Sequence, residues 1–350
     1  MKIVHLILTT RFAGSERYAV ELANAQAEQH QVYLVLRKAA AEQRPDAIAH
    51  RVSPKVQIIL VHDFALFSHF QIRSVLKRIQ PDVAHAHLSR GCRALASLPT
   101  STMLRTATLH IHYKPQQHAK LDALVAIAPA QLATLPEPLK QHSSHIDNWT
   151  CATASSREAG LALRREQQIP DDDMVFGSLG RVEASKGTET LIQAFLLAKP
   201  AKAHLVIVGQ GKDWAALKAK YGHQPQLHLV GFSAQPQAWL AGFDCFVSAA
   251  RTEPFGLVFL EAMTAGLPII ASQTQGAMHL AHYFPYPLVA PDDASGLAER
   301  LQHFTAQPLP RQQYDLSAFN YQAQVSKIEQ FYQQQLARLS RHPDNRVQQN

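Results

Sequence analysis

Cysteine is scarce in this chain: Cys92, Cys151 and Cys245 are three in 350 residues, far apart and without a CxxC pair. That pattern excludes a disulfide framework and a cysteine-based zinc site. Long apolar runs are missing too, and none approaches the roughly 20 residues that a membrane-spanning helix needs. The opening MKIVHLILTTR turns polar at Thr9 without a small-residue cleavage site, so it reads as a buried first strand rather than a signal peptide. The expected location is cytoplasmic. No basic run is interleaved with aromatics, which argues against nucleic acid as a partner. No GxxxxGK[ST] phosphate loop is present. Glycine is thin in the first half, where Gly14, Gly91 and Gly160 are the only three before residue 170; the other twelve fall between Gly177 and Gly296.

What the chain does contain is enough apolar surface for two cores, with 46% apolar and 17% charged residues over 350 positions. Its formal charge of +7 favours anionic partners, such as phosphorylated metabolites or an acidic membrane surface. The shift in glycine content and the polar stretch 169–173 set the expected domains at 1–168 and 169–319. A helix over 320–340 is expected to pack back on the first domain, and 341–350 to be a flexible tail. Strand-like runs fall at 3–8, 32–36, 56–61, 82–86 and 124–127, and again at 174–179, 204–208, 227–230, 243–247 and 268–271. Helix-length segments at 15–29, 188–197, 213–221 and 256–265 lie between them. Such alternation implies parallel sheets with right-handed crossovers. The expected fold is α/β, two Rossmann-like domains with parallel sheets facing across a cleft, with ligand at the carboxyl ends of the strands.

Two clusters at expected strand ends carry chemistry. In TEPFGLVFLEAM, Pro254 and Gly256 suit a turn into a helix whose first N–H groups, near Phe255 to Val258, are open to an anion. Glu253 precedes that terminus and Glu261 lies more than a turn inside. In GRVEASKG, Arg181 and Lys186 flank a loop and are able to converge on one phosphate. Plainer readings stand beside these: an N-terminal acid, a solvated helix glutamate and a solvated basic turn. Gly14 opens the first helix, where it allows backbone to approach a phosphate, and Gly209 sits in a turn after a strand. His85 with His87, and His110 with His112, pair on one face if extended. A four-histidine metal site is set aside, because no carboxylate sits beside them. Residues 64–70 lead into Ile72, Val75, Leu76 and Ile79 on one helical face. That is an ordinary core helix or, with Arg73, Lys77 and Arg78, a peripheral anchor on anionic lipid.

In this order these residues resemble the retaining glycosyltransferases of family 4, GT-B enzymes also called group 1 glycosyltransferases. The likeness rests on Glu253 and Glu261 with seven residues between them, on the GR…KG loop, and on the run 203–211 followed by Val230-Gly231-Phe232. It implies sugar transfer from a nucleotide-sugar donor with retained configuration, with no cofactor and no required metal. Arg181 and Lys186 would neutralise the leaving diphosphate. Glu261 would bind the ribose, and Glu253 the sugar, assisted by the N–H groups of Phe255, Gly256 and Leu257. Gly14, Gly209 and Phe232 fall on the donor side, His110 near the sugar and His87 toward the acceptor. That acceptor would be a glycan or glycolipid of bacterial cell-surface polysaccharide or lipopolysaccharide core. Departures from the pattern are Ser15 in place of a second glycine, Trp149 after Asn148 in place of glycine, and no acid in 275–279. The same architecture also serves nucleotide-sugar epimerases, sugar-phosphate synthases and, in principle, a non-catalytic nucleotide-sugar-binding subunit.

Overall fold

The structure is a computed structural model that describes residues 1–44, 46–99 and 103–341; the tail expected beyond Arg341 lies outside the described residues. The chain divides into two compact units. The first comprises Met1–Asn148 with the C-terminal segment from Phe319, the second Trp149–Ala318.

In the first unit β1 (Lys2–Ile7), β2 (Gln31–Arg37), β3 (Gln57–Val61), β4 (Val83–His87), β5 (Leu104–Leu109), β6 (Ala123–Ala126) and β7 (Ser144–His145) form one sheet. Their order is β3-β2-β1-β4-β5-β6-β7, and each adjacent pair is parallel. Ile3, Val4, Leu6 and Ile7 are all fully buried, as expected of a central parallel strand covered on both faces. The register sets His5 opposite His85 and Ile7 opposite His87. The helix Tyr321–Arg341 packs against this unit, with the Tyr321 hydroxyl on Glu21 O at 2.5 Å and Arg338 Nη2 on Asp122 O at 3.1 Å.

In the second unit β8 (Met174–Leu179), β9 (Ala203–Val208), β10 (Leu227–Gly231), β11 (Cys245–Ser248) and β12 (Ile269–Ala271) run parallel in the order β10-β9-β8-β11-β12. Strand order reverses between β1 and β4 in one unit and between β8 and β11 in the other. Loops leaving the carboxyl ends of such strand pairs splay apart and leave a crevice.

The division at Asn148/Trp149 lies upstream of the boundary expected at 168/169. Its cause is the helix Arg157–Glu166, which crosses the helix Pro236–Gly242 at a glycine contact. A Cβ on Gly160 would lie 2.3 Å from Gly242 N, so only glycine permits the crossing. Arg164, fully buried, seals it by donating to Gly242 O at 2.5 Å and to Asp244 at 2.6 Å. The polar stretch 169–173 is the turn that leads from this helix into β8.

Candidate active site

At the reversal point of the second sheet, the loop after β8 and the loop after β11 are sewn together. Arg251 N donates to Ser185 O at 2.9 Å, and Arg251 Nη1 to Ala184 O at 2.5 Å. Gly187 holds a left-handed conformation, φ +62°, and begins the helix Thr188–Ala198; a Cβ there would meet Ala249 O at 1.9 Å. The close approach fixes Lys186 over the second loop. Lys186 Nζ donates to Glu253 Oε2 at 2.5 Å, and the two side chains are 26% and 16% exposed. Partial burial of this kind strengthens a charge pair relative to one in open solvent.

Arg181 takes a different course. Its guanidinium lies 3.3 Å from the Glu183 carboxylate, with the side chain 67% exposed. Arg181 and Lys186 thus occupy separate ion pairs instead of meeting at one point. Gly256 is the left-handed N-cap of the helix Leu257–Thr264, and no side chain caps that terminus. Backbone N–H groups at such an end suit an anion. Phe255 and Glu261 are buried, Glu261 in the interior of this helix. Gly209 closes β9 with its N–H on Gly231 O at 2.7 Å, and Phe232, just beyond β10, is 73% exposed. One further residue serves the site and was not expected from sequence. Arg251 also reaches Asp292 at 2.6 Å, and no short-range spacing announces it.

In the first unit Gly14 is exposed and begins the helix Gly14–Gln26. Ser15, which replaces a glycine of the expected pattern, donates to Glu16 at 3.0 Å, and Thr9 donates to the same carboxylate at 2.6 Å. Behind this lies a cluster of imidazoles. His5 Nε2 is 2.8 Å from Gln26 Oε1, His5 Nδ1 is 3.1 Å from His87 Nε2, and His87 Nδ1 is 3.1 Å from His110 Nε2. His85 stands alongside, with Nδ1 2.5 Å from the Tyr332 hydroxyl and Nε2 2.8 Å from Thr108 Oγ1.

Burial pushes the His5 imidazole down to about 4, and that of His110 down to about 3. Those of His85 and His87 are held well below the usual value by burial and by neighbouring imidazoles. All four rings are therefore neutral near pH 7. His87, expected on the acceptor side, is fully buried with both ring nitrogens engaged. It backs His110 and does not face an acceptor. His5 was invisible in sequence because the β1–β4 register joins it to His87, 82 residues away, and Gln26 because it meets His5 from the end of the helix Gly14–Gln26. His5, His85 and His87 offer ring nitrogens within 4.8 Å of one another, but a metal there would have to break the His5–His87 hydrogen bond.

A cavity of about 580 Å³ in the second unit lies elsewhere, at the amino ends of β8 and β11. Its arginines are already committed: Arg157 and Arg164 bind Asp244, and Arg311 binds the carbonyls of Ala241 and Phe243. It is a structural feature of the helix crossing and not the site.

The family model for glycosyl transferases group 1 matches residues 161–322, and that for glycosyltransferase family 4 matches residues 12–170. The O-antigen biosynthesis glycosyltransferase WclY of Escherichia coli is 31% identical over 121 residues, a match that spans only a third of either chain (33%). The lipopolysaccharide core biosynthesis glycosyltransferase LpsE of Rhizobium meliloti is 24% identical over 315 residues, 87% of this chain and 89% of that one. The crystal structure of Anabaena HepE, in complex with UDP and glucose, superposes with a TM-score of 0.71 at 19% identity, over 97% of this chain and 99% of that one. Each unit carries a doubly wound parallel sheet with its own reversal point, and the two family models match the chain in tandem. The chain therefore has the GT-B fold and belongs to the group 1, family 4 glycosyltransferases.

Proposed function

We propose that this chain moves a sugar from a nucleotide-sugar donor, with its anomeric configuration retained, to a glycan or glycolipid acceptor of lipopolysaccharide or a related cell-surface polysaccharide. The observation that carries the reading is the Lys186–Glu253 pair, held at the reversal point between β8 and β11 beside an uncapped helix terminus. As the bond from the anomeric carbon to the diphosphate breaks, negative charge gathers on the leaving group. A fixed cation and N–H groups at a helix terminus stabilise such charge. In this reading Lys186 and Arg181 neutralise the diphosphate, and the N–H groups of Phe255, Gly256 and Leu257 assist. Glu253 holds sugar hydroxyls and orients Lys186, while Glu261 accepts from the ribose. Gly209 and the exposed ring of Phe232 border the nucleotide. Gly14 lets backbone approach the diphosphate, and His110 contacts the sugar. Because the protein supplies the positive charge itself, no metal is required, and chelation with EDTA is expected to leave transfer unchanged. The names of WclY and LpsE support the choice of acceptor class, and the UDP bound in HepE supports the donor class.

The test is transfer from a panel of nucleotide sugars to lipid-linked glycan, with the anomeric configuration of the product read by NMR. Sugar recovered on the acceptor supports the reading; isomerised donor in its place indicates an epimerase. Undiminished transfer by both Lys186→Ala and Glu253→Gln overturns the assignment of the site.

A membrane surface as partner has its own support. In the helix Ala65–Ile79 the buried side is Ile72, Val75, Leu76 and Ile79, while Leu66, Phe67 and Phe70 are 59–67% exposed. Arg73, Lys77 and Arg78 continue along the solvent side. Apolar side chains followed by cations suit an anionic bilayer face. No helix among the described residues is long and apolar enough to cross a membrane. Flotation with anionic liposomes is expected to carry the protein upward, and neutral liposomes to leave it behind; equal recovery with both removes the idea.

A further inference from the structure

A row of neutral imidazoles linked ring to ring has two degenerate arrangements of its protons. In one, every ring is protonated at Nε2, and in the other every ring is protonated at Nδ1. The choice falls to whatever terminates the row. Here the terminus is an amide oxygen, Gln26 Oε1, 2.8 Å from His5 Nε2. An amide oxygen only accepts. With the amide oxygen toward His5, His5 carries its proton on Nε2, which leaves Nδ1 bare to accept from His87 Nε2–H across 3.1 Å. His87 Nδ1 is then bare and accepts from His110 Nε2–H, again at 3.1 Å. The proton of His110 is thereby committed inward.

We infer that Gln26 fixes the direction of the whole row and so presents His110 Nδ1 as an obligate hydrogen-bond acceptor. Gln26, His5 and His87 act as positioning residues. The inference rests on the reading of His110 as the residue beside the donor sugar. It narrows what His110 recognises to a group that donates, a sugar hydroxyl, and excludes phosphate or carboxylate oxygen. His110 is partly exposed and lines a small pocket with Ser89 and Lys114. No hydrogen bond to His110 Nδ1 is present among the described residues. The second imidazole path agrees in sense. Thr108 Oγ1 lies 3.4 Å from the Tyr18 hydroxyl, and a His85 Nε2–H donating to Thr108 with Tyr332 O–H donating to His85 Nδ1 fits these contacts. The row holds a tautomer and does not conduct: a proton arriving at His110 has no exit, because the amide oxygen at the far end takes none.

The experiment uses the full chain with ¹⁵N-labelled histidine and long-range ¹⁵N–¹H correlation, assigned with single-histidine variants and recorded without donor. The expected result at pH 7 is a protonated Nε2 and a bare Nδ1 on His5, His87 and His110, unchanged down to about pH 5. Gln26→Met, which removes the amide terminus at similar volume, is expected to lose this uniformity, with Nδ1–H signals appearing on His5 and His110. Nδ1–H on these three rings in the unaltered chain means that the amide presents its nitrogen to His5, and it overturns the inference. So does a stoichiometric zinc ion in the purified protein that abolishes the His5 and His87 N–H signals. Should Gln26→Met not fold, the wild-type pattern alone decides. Absence of sugar transfer would count against the reading of His110 while leaving the tautomers readable, so the two failures are distinguishable.

Discussion

Lys186 and Glu253 sit 67 positions apart and meet at 2.5 Å because Gly187 lets one loop lie against the carbonyl of Ala249 in the other. Removing either partner strands a half-buried charge and takes away a fixed group from the developing anion. For Lys186→Ala, kcat at saturating donor is expected to fall by about 10²–10³-fold, the range for loss of one such stabilising group. The melting temperature should stay within a few degrees of the parent, because most of the pair's value is realised with ligand. Full activity in this variant would contradict the role given to the lysine. Both residues were legible in the sequence, since the EPFG…E and GR…KG patterns are local and sit directly after strands. The partner of Arg181 was not. A long, exposed side chain selects among nearby acids by rotamer, and Glu183, two residues away, is in easy reach. His5 and Gln26 were hidden for another reason, because one is a strand residue and the other a helix residue that only the tertiary fold brings together.

Strands of the second sheet were readable as short apolar runs bounded by glycine and polar turns, and β8 was located to the residue. In the first sheet, β5 is LRTATL, six buried residues that include an arginine and two threonines, so apolar patterning by itself does not mark it. Arg105 tolerates that position through its 2.9 Å pair with Asp122. The helix Arg157–Glu166 joins the second unit through a steric signal, carried by Gly160 and Gly242, and not through composition. Gly160→Ala tests the crossing directly. The added methyl has no room, and overpacking of this kind costs about 1–3 kcal/mol. For a unit of this size that lowers the melting temperature by roughly 2–4 °C per kcal/mol. Calorimetry is the measurement, and a variant that melts with the parent would show that the helices separate freely.

At the scale of the molecule, the buried imidazoles set a pH dependence. In the unfolded chain a histidine titrates near 6.5, whereas burial lowers His5 to about 4 and His110 to about 3 in the folded state. Below pH 6.5 the unfolded chain binds protons that the folded chain refuses. Stability from these groups is therefore complete above about pH 6.5. It is lost as pH falls toward 4 for His5 and toward 3 for His110, at about 1.4 kcal/mol per unit for each ring. Thermal denaturation should show a falling midpoint between pH 7 and pH 5, and a shallower fall in His5→Asn. A flat profile would mean that the rings are hydrated. The placement of Tyr332 against His85 has a further consequence. One unit is an uninterrupted stretch of chain, whereas the other is assembled from two stretches, Met1–Asn148 and the segment from Phe319. During synthesis on the ribosome, Trp149–Ala318 has all its parts as soon as it emerges. The earlier-made sheet must wait, with its imidazoles lacking their tyrosine cover, until the helix Tyr321–Arg341 leaves the exit tunnel.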